Sequence, residues 1–290
     1  MLRSFAQVDV FTATAYRGNP VAVVLHGQGL SDVAMQAFTD WTNLSEATFI
    51  LPPTDPAADY QLRIFCPGRE LPFAGHPTLG SAHAWLESGG VPRDPGCIVQ
   101  QCRAGLIPIR RDAHRLSFAA PPLIRSGPLA PELLADLLSG LGLQRDDVVD
   151  HAWCDNGPPW EALLLRSAQR LATVRPDPIR LAGRFVGLAA LSGPDITDTH
   201  PADLTQSHAL EVRAFFPGAG GLTVEDPVTG SLNVALAEWL MSEGRLRDRY
   251  VASQGRALGR EGRILLERDS QGTVWVGGQS LTCIRGEVAL

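Results

Sequence analysis

Residues 62–86 and 212–236 align at a constant offset of 150 without a gap, LRIFCPGRELPFAGHPTLGSAHAWL over VRAFFPGAGGLTVEDPVTGSLNVAL. Arg63/Arg213, Phe65/Phe215, Pro67/Pro217, Gly68/Gly218, Pro77/Pro227, Gly80/Gly230, Ser81/Ser231 and Leu86/Leu236 coincide. This echo constrains the fold more than any other feature, because a segment written twice implies a unit folded twice. The 290 residues divide into halves of roughly 145, each long enough for its own core. The halves are expected at 1–120 and 121–290, with the last strand free to return to the first. Where the aligned copies differ most in chemistry, one has Gly75-His76 and the other Glu225-Asp226. Two diverged half-domains facing one shared cleft are therefore expected.

The local pattern fills in each half. QVDVFTATAYRGNPVAVVLH reads as strand, turn and strand, with Gly18-Asn19-Pro20 breaking the chain. Ser31 is placed to cap a helix through about residue 43, with Val33, Phe38 and Trp41 as apolar positions. LSEATFILP is a β-branched and aromatic run with Glu46 at its start. Strand 60–66 leads through Pro67-Gly68 to a helix expected over 77–88, since proline suits a first turn. Strands near 97–101, 106–111 and 115–119 close the first half. The second is expected to repeat the plan: helix 130–141, strands near 161–166, 184–190 and 211–216, and a helix opened by Pro227. Between them lies a loop at 193–206, and three strands follow at the end. Ile107, Arg111 and Asp112 against Ile264, Arg268 and Asp269 extend the repeat, and the GNP turn has an echo in DNGPPW at 155–160.

Composition removes several classes of function. With a net charge of −6, nothing tracks a phosphate backbone, so nucleic-acid binding is not expected. All 25 basic residues are arginine, which excludes a lysine Schiff base and a Walker-A lysine. Neither a signal-peptide pattern nor an apolar run of spanning length occurs, so a cytoplasmic protein with no membrane association is expected. The five cysteines, Cys66, Cys97, Cys102, Cys154 and Cys283, form no C-x-x-C pair. Free thiols, no metal and no zinc site are the expectation.

The candidate chemistry lies at two helix starts. The loops 74–81 and 224–231 each feed a helix N-terminus, whose unpaired N–H groups and positive dipole end suit a carboxylate or a developing enolate. His76 stands in one loop and Asp226 in the other. A histidine can donate to or accept from a substrate heteroatom, and an aspartate can bind an amine or hydroxyl. Each also has a structural reading, as a satisfied histidine or a helix cap. Glu46, in an apolar run, is either solvent-facing or aimed into a cleft, where desolvation would suit it to be a general base. Thr229, Gly230 and Ser231 could supply hydroxyl and backbone donors to substrate or cap the helix.

GNPVAVV (18–24), NLSEATFI (43–50), RIFCPGRELPFAGHPTLG (63–80) and EDPVTGS (225–231), with GRALGREGRI (255–264) and VWVGG (274–278), resemble in order the motifs of the PhzF-like family, named for a phenazine-biosynthesis isomerase. The resemblance implies an α/β (α+β) protein of the diaminopimelate-epimerase-like fold. That fold has two pseudo-symmetric halves, each with a β-barrel-like sheet around a central helix. It also implies proton-transfer chemistry without a cofactor. Glu46 matches the family's general acid/base; Gly75 and His76, with Pro77 beside them, match its first substrate-contacting loop; Asp226, Gly230 and Ser231 match the second. In the family's best-known reaction the glutamate moves a proton within a dihydro-hydroxyanthranilate. Related epimerases and racemases place a cysteine at each helix start, whereas here the loops read AGHPT and EDPVT. The phenazine enzymes continue the second motif with Ala-His, whereas this chain has Ser231-Leu232-Asn233. The motifs thus carry the reaction type better than the substrate.

The expected function is a cofactor-independent isomerase or epimerase acting on a small carboxylate-bearing, amino-acid-like or cyclic substrate, with a homodimer implied by the family. Its catalytic residues would be Glu46, His76 and Asp226. Gly75, Pro77, Thr229, Gly230 and Ser231 would contact the substrate. A dehydratase or lyase using the same base and a non-catalytic metabolite-binding protein are the alternatives.

Overall fold

The computed structural model describes residues 1–112, 115–192 and 208–290; the loop expected at 193–206 lies outside the described residues. The chain divides into two compact units, Met1–Ala119 with Gly277–Leu290, and Ala120–Val276.

The first unit runs β1 (Leu2–Val10), β2 (Asn19–Val24), α1 (Asp32–Thr42), β3 (Ala47–Leu51), β4 (Tyr60–Cys66), β5 (Arg69–Leu71), α2 (Gly75–Glu87), β6 (Cys97–Cys102), β7 (Gly105–Asp112) and β8 (Arg115–Ala119). β1–β2, β3–β4, β4–β5, β6–β7 and β7–β8 pair antiparallel, whereas β2–β3 and β4–β6 pair parallel. The C-terminal strand, Ser280–Ala289, adds antiparallel to β1. This mixed sheet wraps α2, which packs on β1, β2, β3, β4, β6, β8 and the C-terminal strand. A helix enclosed in this way must be apolar or small on every side, and eight of its thirteen residues are buried. A Cβ at Gly80 would stand 2.4 Å from Val21 Cγ1, so the helix reaches the sheet only because that residue lacks a side chain.

Helix α1 lies on the other face of the sheet. Ser31 caps it by accepting from the Ala34 N–H, and Asn43 ends it in the left-handed region. Its anchors are Met35 and Phe38, and the aromatic series Phe5, Phe38, Phe49 and Phe65 continues edge-to-face at 5.7–6.3 Å. The expected apolar positions Val33 and Trp41 are instead 79% and 77% exposed. Val33 lies opposite Met35 and Phe38, Trp41 lies beyond Phe38 at the edge of their stripe, and one helix buries a single stripe.

The second unit comprises α3 (Pro131–Leu141), β9 (Val148–Asp155), β10 (Pro159–Leu165), α4 (Ala168–Thr173), β11 (Val186–Leu191), β12 (Leu210–Pro217), β13 (Thr223–Asp226), α5 (Gly230–Ser242), β14 (Arg249–Gln254), β15 (Gly262–Arg268) and β16 (Val274–Gly278). β9–β10, β11–β12, β12–β13 and β14–β15 are antiparallel, whereas β10–β11 and β12–β14 are parallel. The order and sense of pairing from β9 to β15 therefore repeat those from β1 to β7. Ten of the thirteen residues of α5 are buried, so it is the counterpart of α2.

The structure corrects the register of the repeat. β4 and β12 keep the offset of 150, but α2 and α5, thirteen residues each, begin at Gly75 and Gly230. The turn between β4 and β5 is Pro67-Gly68, whereas β12 reaches β13 through a longer loop containing a 3-10 turn at 219–221. That loop inserts five residues and moves the later elements to an offset of 155. The ungapped coincidences Pro77/Pro227, Gly80/Gly230, Ser81/Ser231 and Leu86/Leu236 thus do not occupy equivalent places. Pro227 precedes α5, whose N-cap is Thr229. Pro77 is the third residue of α2, where an amide has no partner within the helix in any case.

What the repeat does keep is an ion pair. Arg63 donates from Nε and Nη2 to Glu70 at 2.8 and 2.7 Å, and Arg213 donates likewise to Glu225 at 2.9 and 2.8 Å. Each guanidinium also lies 5.1 or 5.0 Å from its own Phe65 or Phe215 ring. The Arg-x-Phe spacing on strands β4 and β12 puts both side chains on one face, and the bidentate fork locks the following hairpin strand.

Candidate active site

In the first unit Glu46 immediately precedes β3, and its backbone oxygen accepts from the Ala22 N–H where β2 and β3 meet. Its side chain is half-buried, with Oε2 3.4 Å from Nε2 of His76. His76 is the second residue of α2, and its ring is buried. Burial pushes the imidazole down to about 3, opposed by a hydrogen bond to the backbone of Pro20. His76 is thus neutral at physiological pH, and its contact with Glu46 joins a carboxyl group to an uncharged ring. Pro20 in turn sits beyond a fixed turn: the Gly18 N–H donates to Asp9 Oδ2 at 3.0 Å. Asp9 is buried.

Both central helices begin without a side-chain cap. The N-cap of α2 is Ala74, which has no oxygen to offer, and Thr229 makes no capping bond to α5. The capping reading of Thr229 is therefore set aside. Its Oγ1 donates instead to Asp226 Oδ2 at 2.5 Å. The early N–H groups, including those of Gly75 and Gly230, keep the positive end of each helix available to an anion. Pro77 carries no N–H, so it contributes no donor to that set.

In the second unit Gln254 organises the loop before α5. Its Nε2 donates to the Asp226 carbonyl at 3.0 Å and to Thr229 Oγ1 at 2.9 Å, while its Oε1 accepts from the Thr229 N–H at 3.0 Å and from Asn233 Nδ2 at 2.8 Å. Ser231 is gripped from two sides by the β9–β10 turn. Asn156 Nδ2 donates to its carbonyl at 2.9 Å, and Trp160 Nε1 donates to its hydroxyl oxygen at 3.1 Å. An indole only donates, so Ser231 Oγ accepts there and retains its own hydrogen for another partner. Asn156, Trp160 and Gln254 were not anticipated from the sequence. The available signal was DNGPPW, which matches the GNP turn.

The corrected register changes which residues are counterparts. His76 corresponds to Ser231, the second residue of each helix, and not to Asp226. Strand pairing places Phe185 opposite the role of Glu46, since Ala47 and Val186 occupy the same place on β3 and β11. Pro20 corresponds to Pro159, and Val21 to Trp160, whose indole meets Phe185 edge-on at 5.4 Å. The acid and the imidazole of one unit are thus replaced by an aromatic ring and a hydroxyl in the other.

Cys154 is buried, and burial pushes it up to about 12. Cys66 is also pushed up by burial. Among the described residues no group of three or more His, Cys, Asp or Glu is placed to hold a metal ion, and no helix is long and apolar enough to cross a membrane.

Residues 8–286 match the family described as phenazine biosynthesis-like protein. The chain is 34% identical to the Schizosaccharomyces pombe protein named antisense-enhancing sequence 1, over 98% of each chain. It is 28% identical to trans-2,3-dihydro-3-hydroxyanthranilate isomerase of Pseudomonas fluorescens, over 100% of each. Among solved structures, a Pseudomonas aeruginosa protein titled a predicted epimerase superposes over 99% of each chain with a TM-score of 0.75 and 27% identity. The fold is accordingly the diaminopimelate-epimerase-like α/β arrangement, and the chain belongs to the phenazine biosynthesis-like, or PhzF, family of isomerases.

Proposed function

We propose that this isomerase moves a proton within a small carboxylate-bearing, amino-acid-like or cyclic substrate without a cofactor, and that Glu46 carries the proton. The observation that supports this most is the half-buried Glu46 carboxyl 3.4 Å from a buried, neutral His76 at the uncapped start of α2. A carbon acid needs a base held in a partly dry place and a positive region for the charge it leaves behind. Glu46 takes the proton from carbon, the substrate's carboxylate spreads the resulting charge, and the helix-start amides stabilise it. Glu46 then returns the proton at another carbon. Asp226, oriented by the Thr229 hydroxyl, binds an amine or hydroxyl of the substrate. Gly75, Gly230 and Ser231 offer donors to its carboxylate.

The relative from Pseudomonas fluorescens is named for a cyclic amino acid of this kind, which supports the substrate class. The family resemblance is the ground for proposing a cytoplasmic homodimer, and sedimentation would measure the assembly. The test of the reaction is incubation in D₂O with cyclic and hydroxy amino acids, including trans-2,3-dihydro-3-hydroxyanthranilate. Mass spectrometry then reads deuterium uptake. Isomerisation gives product of unchanged skeleton, whereas loss of water would indicate a lyase. Glu46→Gln is expected to slow turnover by about 10²–10⁴-fold. A folded Glu46→Gln protein with wild-type turnover would remove the base assignment.

A further inference from the structure

The C-terminal strand β17 (Ser280–Ala289) pairs antiparallel with β1, and among the described residues β1 is the strand that lies along it. A hydrogen-bonded pair at its end fixes which main-chain groups face outward. The Leu290 N–H donates to the Met1 carbonyl at 3.0 Å, and the Met1 nitrogen donates to the Leu290 carbonyl at 2.6 Å. Hydrogen-bonded and non-hydrogen-bonded pairs alternate along an antiparallel ladder. Val288, Gly286 and Ile284 therefore turn their main-chain groups toward Arg3, Phe5 and Gln7. Those of Arg285 and Glu287 point away from β1, along an exposed edge.

Residues 284–288 read Ile-Arg-Gly-Glu-Val, a segment complementary to its own reverse. Laid antiparallel about Gly286, Arg285 of one copy faces Glu287 of the other, and Ile284 faces Val288. In that arrangement Gly286 falls at a non-hydrogen-bonded pair, while Arg285 and Glu287 pair through the groups that β1 leaves outward. The Arg285 side chain is 63% exposed and holds Glu87 through Nη2 at 2.7 Å, so its fork has room for a second carboxylate. Ile284 is 50% exposed, whereas Val288 packs against the aromatic cluster of Phe38, Phe49 and Phe65.

Gly286 points the same way. A Cβ there would meet nothing within 4 Å, and its φ is not positive. Nothing in its own chain requires glycine, and glycine weakens a strand interior. A second backbone at a non-hydrogen-bonded pair, where strands approach most closely, supplies the reason.

We propose that two copies of this chain join β17 to β17, antiparallel across a two-fold axis at Gly286. This names the face of the homodimer proposed above and rests on that assembly, not on the proton chemistry. The contact is isologous: Arg285 and Glu287 exchange main-chain hydrogen bonds and opposite charges, twice by symmetry. Ile284 is covered by the partner's Val288, and an edge open to indiscriminate pairing is closed.

Sedimentation equilibrium of the full-length protein is expected to show a reversible dimer. Glu287→Arg sets arginine against arginine and should raise the dimer dissociation constant about tenfold or more; Arg285→Glu should act likewise. Mixing these two variants restores opposite charges at both positions, so the mixture should associate more tightly than either alone. Circular dichroism checks that each is folded. Gly286→Cys reads the register, because facing residues there lie ~4.5 Å apart between Cα atoms, within disulfide reach. Mild oxidation should link those chains, but not wild type or Ile284→Cys, whose thiols lie apart. A wild-type monomer overturns the proposal together with the homodimer. A dimer that tolerates Glu287→Arg, a mixture no tighter than its components, or Gly286→Cys chains that stay unlinked overturns this interface and leaves a homodimer through another face. Solvent-deuterium exchange tests the Glu46 reading separately, so the two failures are distinguishable.

Discussion

Replacing Arg213 by methionine keeps the length of the stem and removes the guanidinium. Its side chain is 5% exposed and that of Glu225 is 11% exposed. Besides the fork to Glu225, Arg213 Nη1 donates to the carbonyls of Leu171 and Val174 at 3.1 and 2.8 Å, where α4 ends. The substitution strands a buried carboxylate, which costs about 3–5 kcal/mol. In a protein of this size that lowers the melting temperature by about 10 °C. Arg63→Met is the internal control, because the same fork in the first unit is less committed. The Arg63 side chain is 20% exposed, and Glu70 retains Arg103 at 3.1 Å. Its loss should cost about 1–2 kcal/mol, between the values for exposed and buried pairs. Urea unfolding of both variants measures the difference. Arg213→Met combined with Glu225→Leu removes both charges and should recover at least half of the loss, since the main penalty is the unpaired ion. The reasoning is refuted if Arg213→Met costs less than about 1 kcal/mol, if Arg63→Met costs as much, or if the double variant is worse than the single one.

Acid should destabilise the protein through His76. Its folded value of about 3 lies below the ordinary 6.5, so between these limits the unfolded chain binds a proton that the native ring refuses. Stability therefore falls as pH drops through that window, by up to about 1.4 kcal/mol per pH unit, and His76→Gln should show a shallower fall between pH 6.5 and 5 in urea titrations. Trp160→Phe and Ser231→Ala should each raise KM for the identified carboxylate substrate by roughly tenfold. The double variant should do little more, because the indole acts through the hydroxyl; additive effects would count against that link. Gly18→Ala should destabilise by about 1–3 kcal/mol, measured by the same unfolding assay, as its Cβ meets the Val10 oxygen.

Much of the architecture was legible in the chain because its signals are local. Ser31 caps α1 as its hydroxyl predicts, and the strands 60–66 and 115–119 follow from their residues. Short-range rules failed where the unit as a whole decides. Val33 and Trp41 look like anchors, but burial of one stripe of α1 depends on which face meets the sheet. The helix starts were misplaced because Pro227 satisfies a local rule for a first turn, whereas strand β13 extends to Asp226 through its pairing with β12.

Residue identity and order alone establish that one plan is used twice, that lysine chemistry is excluded, and that Glu46, His76 and Asp226 stand within motifs resembling those of an isomerase family. Those facts depend on residue identity and order, which the chain carries openly. Tertiary packing settled that His76 answers to Ser231, because an inserted turn shifts the later frame, and that Glu46 answers to Phe185, because strand pairing aligns Ala47 with Val186. It alone also tied Gly18 to Asp9 and brought His76 beside Glu46. Hydrogen bonds form between groups that strand pairing and helix burial bring together, and their protonation follows from those partners rather than from neighbours in the chain.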